Sequence, residues 1–376
     1  MDDEIKLKNN KKSKIFTLPV VICICVGIFS AIVWRLSIRF VFIADFFTET
    51  ISFALRFILT KITYFIPFSL AEFILFALAP FFIFIWFRLI ADKNSWRAFG
   101  KFLARVLAGF GIFMFVFTFT LGICYGKTPV NKKIDFERRL LSADDLYGAM
   151  EILIDETNKV TDNIKYVYSE TGSTKMPYGL NEINKKLNEA YKNMLEKHKL
   201  FKRISAKVKP VILSVQMSKM HITGVYTFFT GEANVNIDFP DYNLPYVSAH
   251  EMSHLMGVAR EDEANFTAFL VCLYSDDDYI KYSGLVNMTE YIGSALYRAD
   301  KDKYYEIMKK MPVIVNYEMA AYSRFFDKYR NTKISKVSSA VNDTYLKAQG
   351  QEQGEKSYGL VVDLATVYLL EVYNQK

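Results

Sequence analysis

Two histidines four positions apart bracket a glutamate in the run His250-Glu251-Met252-Ser253-His254. On a helix, residues at i and i+4 stack on one face, so both imidazoles can reach a single metal ion. Glu251, between them in sequence, is placed to polarise a bound water and take its proton, which is the chemistry of metal-assisted hydrolysis. The chain has four histidines in 376 residues, so this pairing stands out from its composition. Imidazole and carboxylate donors in this order make Zn²⁺ the expected ion.

The flanking residues must present that motif. Upstream, Ala233, Val235 and Ile237 alternate with Glu232, Asn234 and Asn236, the period of a half-exposed β-strand. A strand of that kind over residues 231–238 would offer its backbone to an extended substrate, and a turn between Pro240 and Pro245 leads into the motif helix. Downstream, Gly257 can take the left-handed conformation that ends a helix. A reversal is needed there, because in a continuing helix Glu261 would lie roughly 10 Å along the axis from His254. A second helix over residues 260–273 then puts Glu261, Asn265, Ala268 and Cys272 on one face and Phe266, Phe269, Leu270 and Leu273 on another. Glu261 is therefore the expected third ligand, with Asn265 orienting a ligand through a hydrogen bond. Glu263, about 200° away on the wheel, is the reserve. Cys272, about three turns from Glu261, reads as a small core residue.

At these residues the chain resembles known families. Glu261-x-x-Ala264-Asn265 resembles the ligand helix of gluzincin zinc metallopeptidases, although the gap after His254 is shorter. With Gly257 in place the motif is also similar to that of the metzincins, whose third histidine would fall at Arg260, a side chain that cannot bind a cation. The broadest likeness is to a family of bacterial multi-pass membrane proteins classed as a domain of unknown function. It rests on residues 229–236 (FTGEANVN), 249–254 (AHEMSH), 259–266 (AREDEANF), 341–347 (VNDTYLK) and the Ser357-Tyr358 pair. The likeness implies a zinc peptidase and no particular substrate. Tyr345 and Tyr358 lie in its C-terminal block and are candidates to stabilise an oxyanion, Tyr358 being the one taken as catalytic.

The rest of the chain says where the site sits. Residues 16–34 and 106–125 are free of charge and long enough to cross a hydrocarbon core of about 30 Å. Residues 64–87 form a third candidate span, interrupted by Pro67, Glu72 and Pro80, with Glu72 close enough to its start to snorkel. Residues 38–59 carry Arg39, Asp45, Glu49 and Arg56 and read as an amphipathic interfacial helix, a fourth span being the rival. Residues 1–15 form a basic cytoplasmic tail, and without a small-x-small cleavage site the first run is an uncleaved anchor. That tail and the loop with Arg88, Lys93, Arg97, Lys101 and Arg105 should stay inside, which puts residues 126–376 outside a cell membrane crossed three times. Lys127, Lys132, Lys133, Arg138 and Arg139 dilute this bias.

Residues 126–376 are enough for one domain with its own core. A helical pattern over residues 144–202, strands over 207–216 and 224–238, and helices from 247 onward make an α+β zincin-like metallopeptidase domain behind an all-α transmembrane region. The linker falls at 126–133, and 350–356 reads as a polar loop. Four cysteines imply no disulfide framework. The net charge of +7 is spread along the chain without a concentrated patch, which argues against nucleic acid as a partner. Charges at Asp238, Asp241, Arg260, Glu261 and Asp262 border the motif and exclude an intramembrane site. The expected function is a membrane-anchored zinc endopeptidase acting on protein or peptide substrates at or near the bilayer surface. The alternative is a non-catalytic membrane sensor or scaffold with a structural or vestigial metal site, in which Glu251 would have no use.

Overall fold

The computed structural model describes residues 15–90, 95–169, 172–330 and 332–374; the basic tail, apart from Ile15, lies outside them. Helix α1 (Leu18–Arg39) is apolar all round and starts with Pro19 in its first turn, where a missing N–H costs nothing. Short α2 (Val41–Phe47), one π turn at Thr48–Ser52 and α3 (Phe53–Thr63) follow, then α4 (Leu70–Ile90) and α5 (Ser95–Thr120). Three stretches, Leu18–Arg39, Leu70–Arg88 and Trp96–Thr120, are long and apolar enough to cross a membrane. The last begins well before residue 106, because Arg97, Lys101 and Arg105 fall within its first turns. Gly27 lies against Gly111, the Ser30 carbonyl accepts from the Thr118 hydroxyl, and Trp34 meets Phe117 edge-on at 5.5 Å. The partner number rises along both helices, so α1 and α5 run parallel.

The remaining chain is mostly helical with one small sheet. Helices α6 (Val130–Ile134), α7 (Ala143–Thr161) and α8 (Leu180–Lys197) precede β1 (Val208–Pro210), α9 (Ser214–Lys219), β2 (Gly224–Thr227) and β3 (Glu232–Val235). Ser142 and Asp145 close a reciprocal capping box that starts α7. Helices α10 (Leu244–Leu255), α11 (Glu261–Leu273), α12 (Asp278–Ala299), α13 (Lys301–Met308), α14 (Val313–Asp327), α15 (Lys333–Ala348) and α16 (Val361–Val367) complete the chain, with a 3₁₀ segment at Gly354–Leu360 in place of part of the expected polar loop. Every residue of α11 is buried, so the two-faced wheel read from its sequence becomes an all-round core contact.

The sheet order is β1-β3-β2, with β3 parallel to β1 and antiparallel to β2. This corrects the expectation for residues 231–238: β3 is the central strand and is buried at all four positions, while β2 is an edge. The alternation misled because its polar members are buried with partners. Asn236 donates to Ser218 Oγ and the Ile222 carbonyl, and Glu232 pairs with Lys209. The strand expected over 207–216 likewise shrinks to β1 and gives way to α9.

The membrane-type helices are tied into this body. Glu72 does not snorkel: its carboxylate accepts the backbone N–H groups of Ile212 and Leu213 at 2.9 and 2.7 Å. In return Glu232 accepts the N–H groups of Leu70 and Ala71 at the start of α4, at 3.1 and 3.0 Å. Within residues 41–63, Thr48, Ser52, Arg56, Thr60 and Thr63 are buried while Glu49 stays exposed, and the expected linker at 126–133 is packed, with Lys127, Val130 and Asn131 buried. Thr128 donates through its N–H and hydroxyl to Asp45.

Glu232→Ala leaves Lys209 charged, buried and without its carboxylate. Breaking such a pair costs about 3–5 kcal/mol, whereas replacing both partners by neutral groups costs less. Denaturation of the full chain in detergent should show the single variant less stable than Lys209→Met/Glu232→Gln; equal losses would deny the pair its role.

Candidate metal and hydrolase site

Helix α10 carries His250, Glu251 and His254 on its inner side, and its outer side is pinned by Tyr191, whose hydroxyl donates to the Ala249 carbonyl at 2.6 Å and meets Ser253 Oγ at 2.7 Å. The helix ends at Leu255, and Gly257 takes φ +90° to reverse the chain into α11. A side chain at Gly257 would also overlap the Arg56 guanidinium. Arg56, from α3, is 1% exposed and donates to the Leu255 carbonyl at 3.1 Å, closing the C-terminal end of α10.

The reversal brings Glu261 back against the histidines. The Nε2 atoms of His250 and His254 lie 3.0 Å apart, and Glu261 Oε2 lies 3.3 and 3.4 Å from them. One ligand atom from each of the three fits within 4.8 Å of the others. The His254 Nδ1–H donates to the Val258 carbonyl at 2.7 Å, so in the neutral ring the Nε2 lone pair faces the centre of the cluster. Glu261 Oε2 and Glu251 Oε2 are buried without a hydrogen-bond partner among the described residues. These three side chains could hold a divalent ion.

Glu263 goes elsewhere. It accepts from the Val130 N–H at 3.1 Å and pairs with Arg260 at 3.0 Å. Among the described residues no hydrogen bond joins Asn265 to a histidine; its Oδ1 and backbone carbonyl accept from the Tyr246 hydroxyl at 3.3 and 3.1 Å. Cys272 is buried against Gly284 of α12, a close helix crossing rather than a ligand position.

Glu251 is set by different neighbours. It accepts a backbone hydrogen bond from Tyr226 on β2, and a side chain at Gly224 would run into its carboxylate. Burial pushes the Glu251 carboxyl up to about 7, against the pull of His250 and His254. Burial also opposes charge on His254 and Glu261, but there the imidazole–carboxylate attraction prevails. It raises His254 to about 9 and holds Glu261 well below the usual range.

The cluster opens on a cleft of about 1950 Å³. One wall is β2. By its register with β3, the Thr223 carbonyl accepts from Asn236, so Gly224 and Tyr226 point their backbone groups away from the sheet. Leu121 and Tyr125 lie at its base, and α15 forms the far wall with Tyr345, whose hydroxyl accepts from the Tyr125 hydroxyl at 3.3 Å. Burial pushes the Tyr345 phenol up to about 12. The backbone of Tyr358 lies in the 3₁₀ segment, and its side chain is outside the described residues. Tyr291 of α12 and His221 also line the cleft; nothing in their local sequence singles them out.

Residues 47–366 match a family described as a protein of unknown function, DUF3810. The chain belongs to that family. No curated protein and no solved structure matches it. The DUF3810 region begins at the end of α2 and ends in α16, so it takes in α3, α4 and α5 together with the site.

Gly257→Ala should cost about 1–3 kcal/mol from backbone strain alone, with Arg56 displaced in addition. Arg56→Gln should accelerate amide hydrogen exchange at the C-terminal turn of α10 in the full chain while leaving α7 unchanged. Unaltered exchange in α10 would remove Arg56 from the support of the site.

Proposed function

We propose that this chain is a membrane-anchored zinc-dependent endopeptidase of zincin-like fold, with His250, His254 and Glu261 as zinc ligands and Glu251 as general base. One observation carries this reading: two imidazole nitrogens and a buried carboxylate oxygen converge on one point beside a second buried carboxylate. A structural site has no need of that second carboxylate. The donor set is the one zinc takes in gluzincin-like sites. Zinc bound there would polarise the scissile carbonyl and acidify a water.

The chain's own groups divide the remaining work. The edge of β2 binds the substrate backbone through Gly224 and the Tyr226 carbonyl, laying it across the cluster as an added antiparallel strand. Glu251 takes a proton from the attacking water, whose oxygen joins the carbonyl carbon, and passes that proton to the leaving amine as the C–N bond breaks. Tyr345, a phenol that keeps its proton, is the donor proposed for the oxyanion, with Tyr358 as the alternative.

The domain is proposed to lie outside the cell. Helix α4 ends at Ile90 and α5 starts at Ser95, so Arg88, Arg97 and Lys101 share one end of the bundle, the end from which α1 also starts. Protease added to intact cells should then reach residues 126–376; full protection would reverse the orientation.

Mass spectrometry of the purified full chain should find about one zinc per chain in wild type and Glu263→Ala, and little in His254→Ala or Glu261→Ala. Glu251→Gln should keep the metal and lose about 10²–10⁴ in turnover on an unfolded protein substrate. Tyr345→Phe should lower kcat by about 10²–10³ with little change in KM. A folded wild-type chain that stays metal-free when zinc is supplied ends the peptidase reading.

A further inference from the structure

The position of the cleft relative to the apolar helices narrows what can enter it. The β2–β3 turn packs against them: Phe228 lies on Phe113 at 5.4 Å and Phe117 at 5.3 Å, both on α5, and the Gly231 carbonyl accepts from Thr60 of α3. Leu121 and Tyr125, at the base of the cleft, follow α5 directly. Gly350, just past α15, lies beside Ile38 near the end of α1. Three parts of the cleft thus rest on the same end of the bundle.

Depth follows from helix geometry. Counting about twenty residues of hydrocarbon core from Lys101 of α5 reaches Leu121, so the base of the cleft sits at the bilayer boundary. Phe117 and Phe113 lie roughly 6 and 12 Å further in, which carries the hairpin tip below that boundary.

The walls suit an extended apolar chain. Of the sixteen residues in α15 only Leu346 is buried. Ile334, Val337 and Val341 are 54, 64 and 64% exposed, recur at helical spacing and line the cleft. Val225, 41% exposed on β2, is the apolar group on the strand wall. A stripe of this kind is covered when an extended substrate lies between helix and strand.

We infer that the cleft takes the extended segment by which an integral membrane protein leaves the bilayer, with apolar side chains of that segment against Ile334, Val337 and Val341. This rests on the endopeptidase reading. A cleft of this volume is on the order of 15 Å across, about five residues of extended chain, so cuts fall within about ten residues of the hydrocarbon boundary.

The test uses the full chain with zinc in phosphatidylcholine vesicles, together with single-pass test proteins carrying a degenerate segment of about forty residues after their transmembrane helix. Cut positions read by mass spectrometry should be at least tenfold enriched in the first ten residues, and the same segment without its helix should be cut at least tenfold more slowly. Val337→Asp/Val341→Asp should reduce the preference for apolar residues flanking the cut. Cuts spread evenly along the segment, or a soluble segment cut as fast, overturn the inference and leave the peptidase reading standing. Absence of any cut that Glu251→Gln removes overturns both. Independently of activity, nitroxides at Val225→Cys and Val341→Cys should report headgroup-level depth, and labels wholly in bulk water would overturn the placement alone.

Discussion

The arrangement depends on one buried cation. Arg56 lies on α3 with its guanidinium fully inside the protein, donating to the carbonyls of Ser52, Thr48 and Leu255 and facing no carboxylate among the ion pairs of the described residues. Moving a charge out of water costs several kcal/mol. Charge-assisted bonds to carbonyls, at about 1.5–3 kcal/mol each, and the negative end of the α10 dipole offset that cost. The Leu255 bond and the dipole both require α10 to end at Leu255, with a residue lacking a side chain at 257. The helix that carries the histidines and the helix beside the apolar bundle are thus each the reason the other stays in place. A fragment starting at residue 126 would expose the end of α10, and the extent of the DUF3810 match from residue 47 fits a unit that is not divisible there.

The same buried charge balance decides which glutamate faces the histidines. Lys127 is buried beside Arg56, and burial lowers its ammonium to about 8 while Glu263 pulls the other way. Glu263 is therefore held as counter-charge to Lys127 and Arg260 and as an acceptor for Val130. Glu261, two residues earlier at the first turn of α11, forms ion pairs with the imidazoles alone among the described residues. Its backbone N–H meets Gln351 at 3.4 Å, and Arg138 binds the adjacent Asp262 at 2.6 Å, so the C-terminal segment and the 126–142 stretch together fix the start of α11.

What was legible in the sequence follows from the range of the interactions. The spacing of His250, Glu251 and His254 and the glycine that ends the helix are local facts, and Gly257 adopts the conformation its type allows. The apolar runs are local as well, although their ends shifted because a few basic residues can extend a helix at the interface. The choice between Glu261 and Glu263 was open because it turns on Lys127 and Val130, more than a hundred residues upstream. Glu72 and Glu232 were misread for the same reason: each looks like a solvent-seeking charge until the backbone N–H groups it caps are known. Asn234 and Asn236 gave a false solvent-facing period because buried amides with partners look, in sequence, like exposed ones.

Two carboxylates at the head of the cleft carry opposite tendencies, and their surroundings separate them. Glu261 lies against two imidazoles, whose attraction holds its carboxyl well below the usual range. Glu251, ten residues earlier, has one strand N–H as its fixed partner and an otherwise desolvated setting, which lets it exchange a proton near neutrality. Both carboxylates are buried, and what separates them is that Glu261 lies on the two imidazole Nε2 atoms whereas Glu251 accepts from the strand backbone. Gly224 makes the difference, because only a residue without a side chain lets β2 approach closely enough to shield Glu251 from water while leaving the Tyr226 N–H within its reach. The edge strand proposed to receive a substrate is therefore the element that desolvates the glutamate proposed as general base, so under that proposal the two cannot be moved independently.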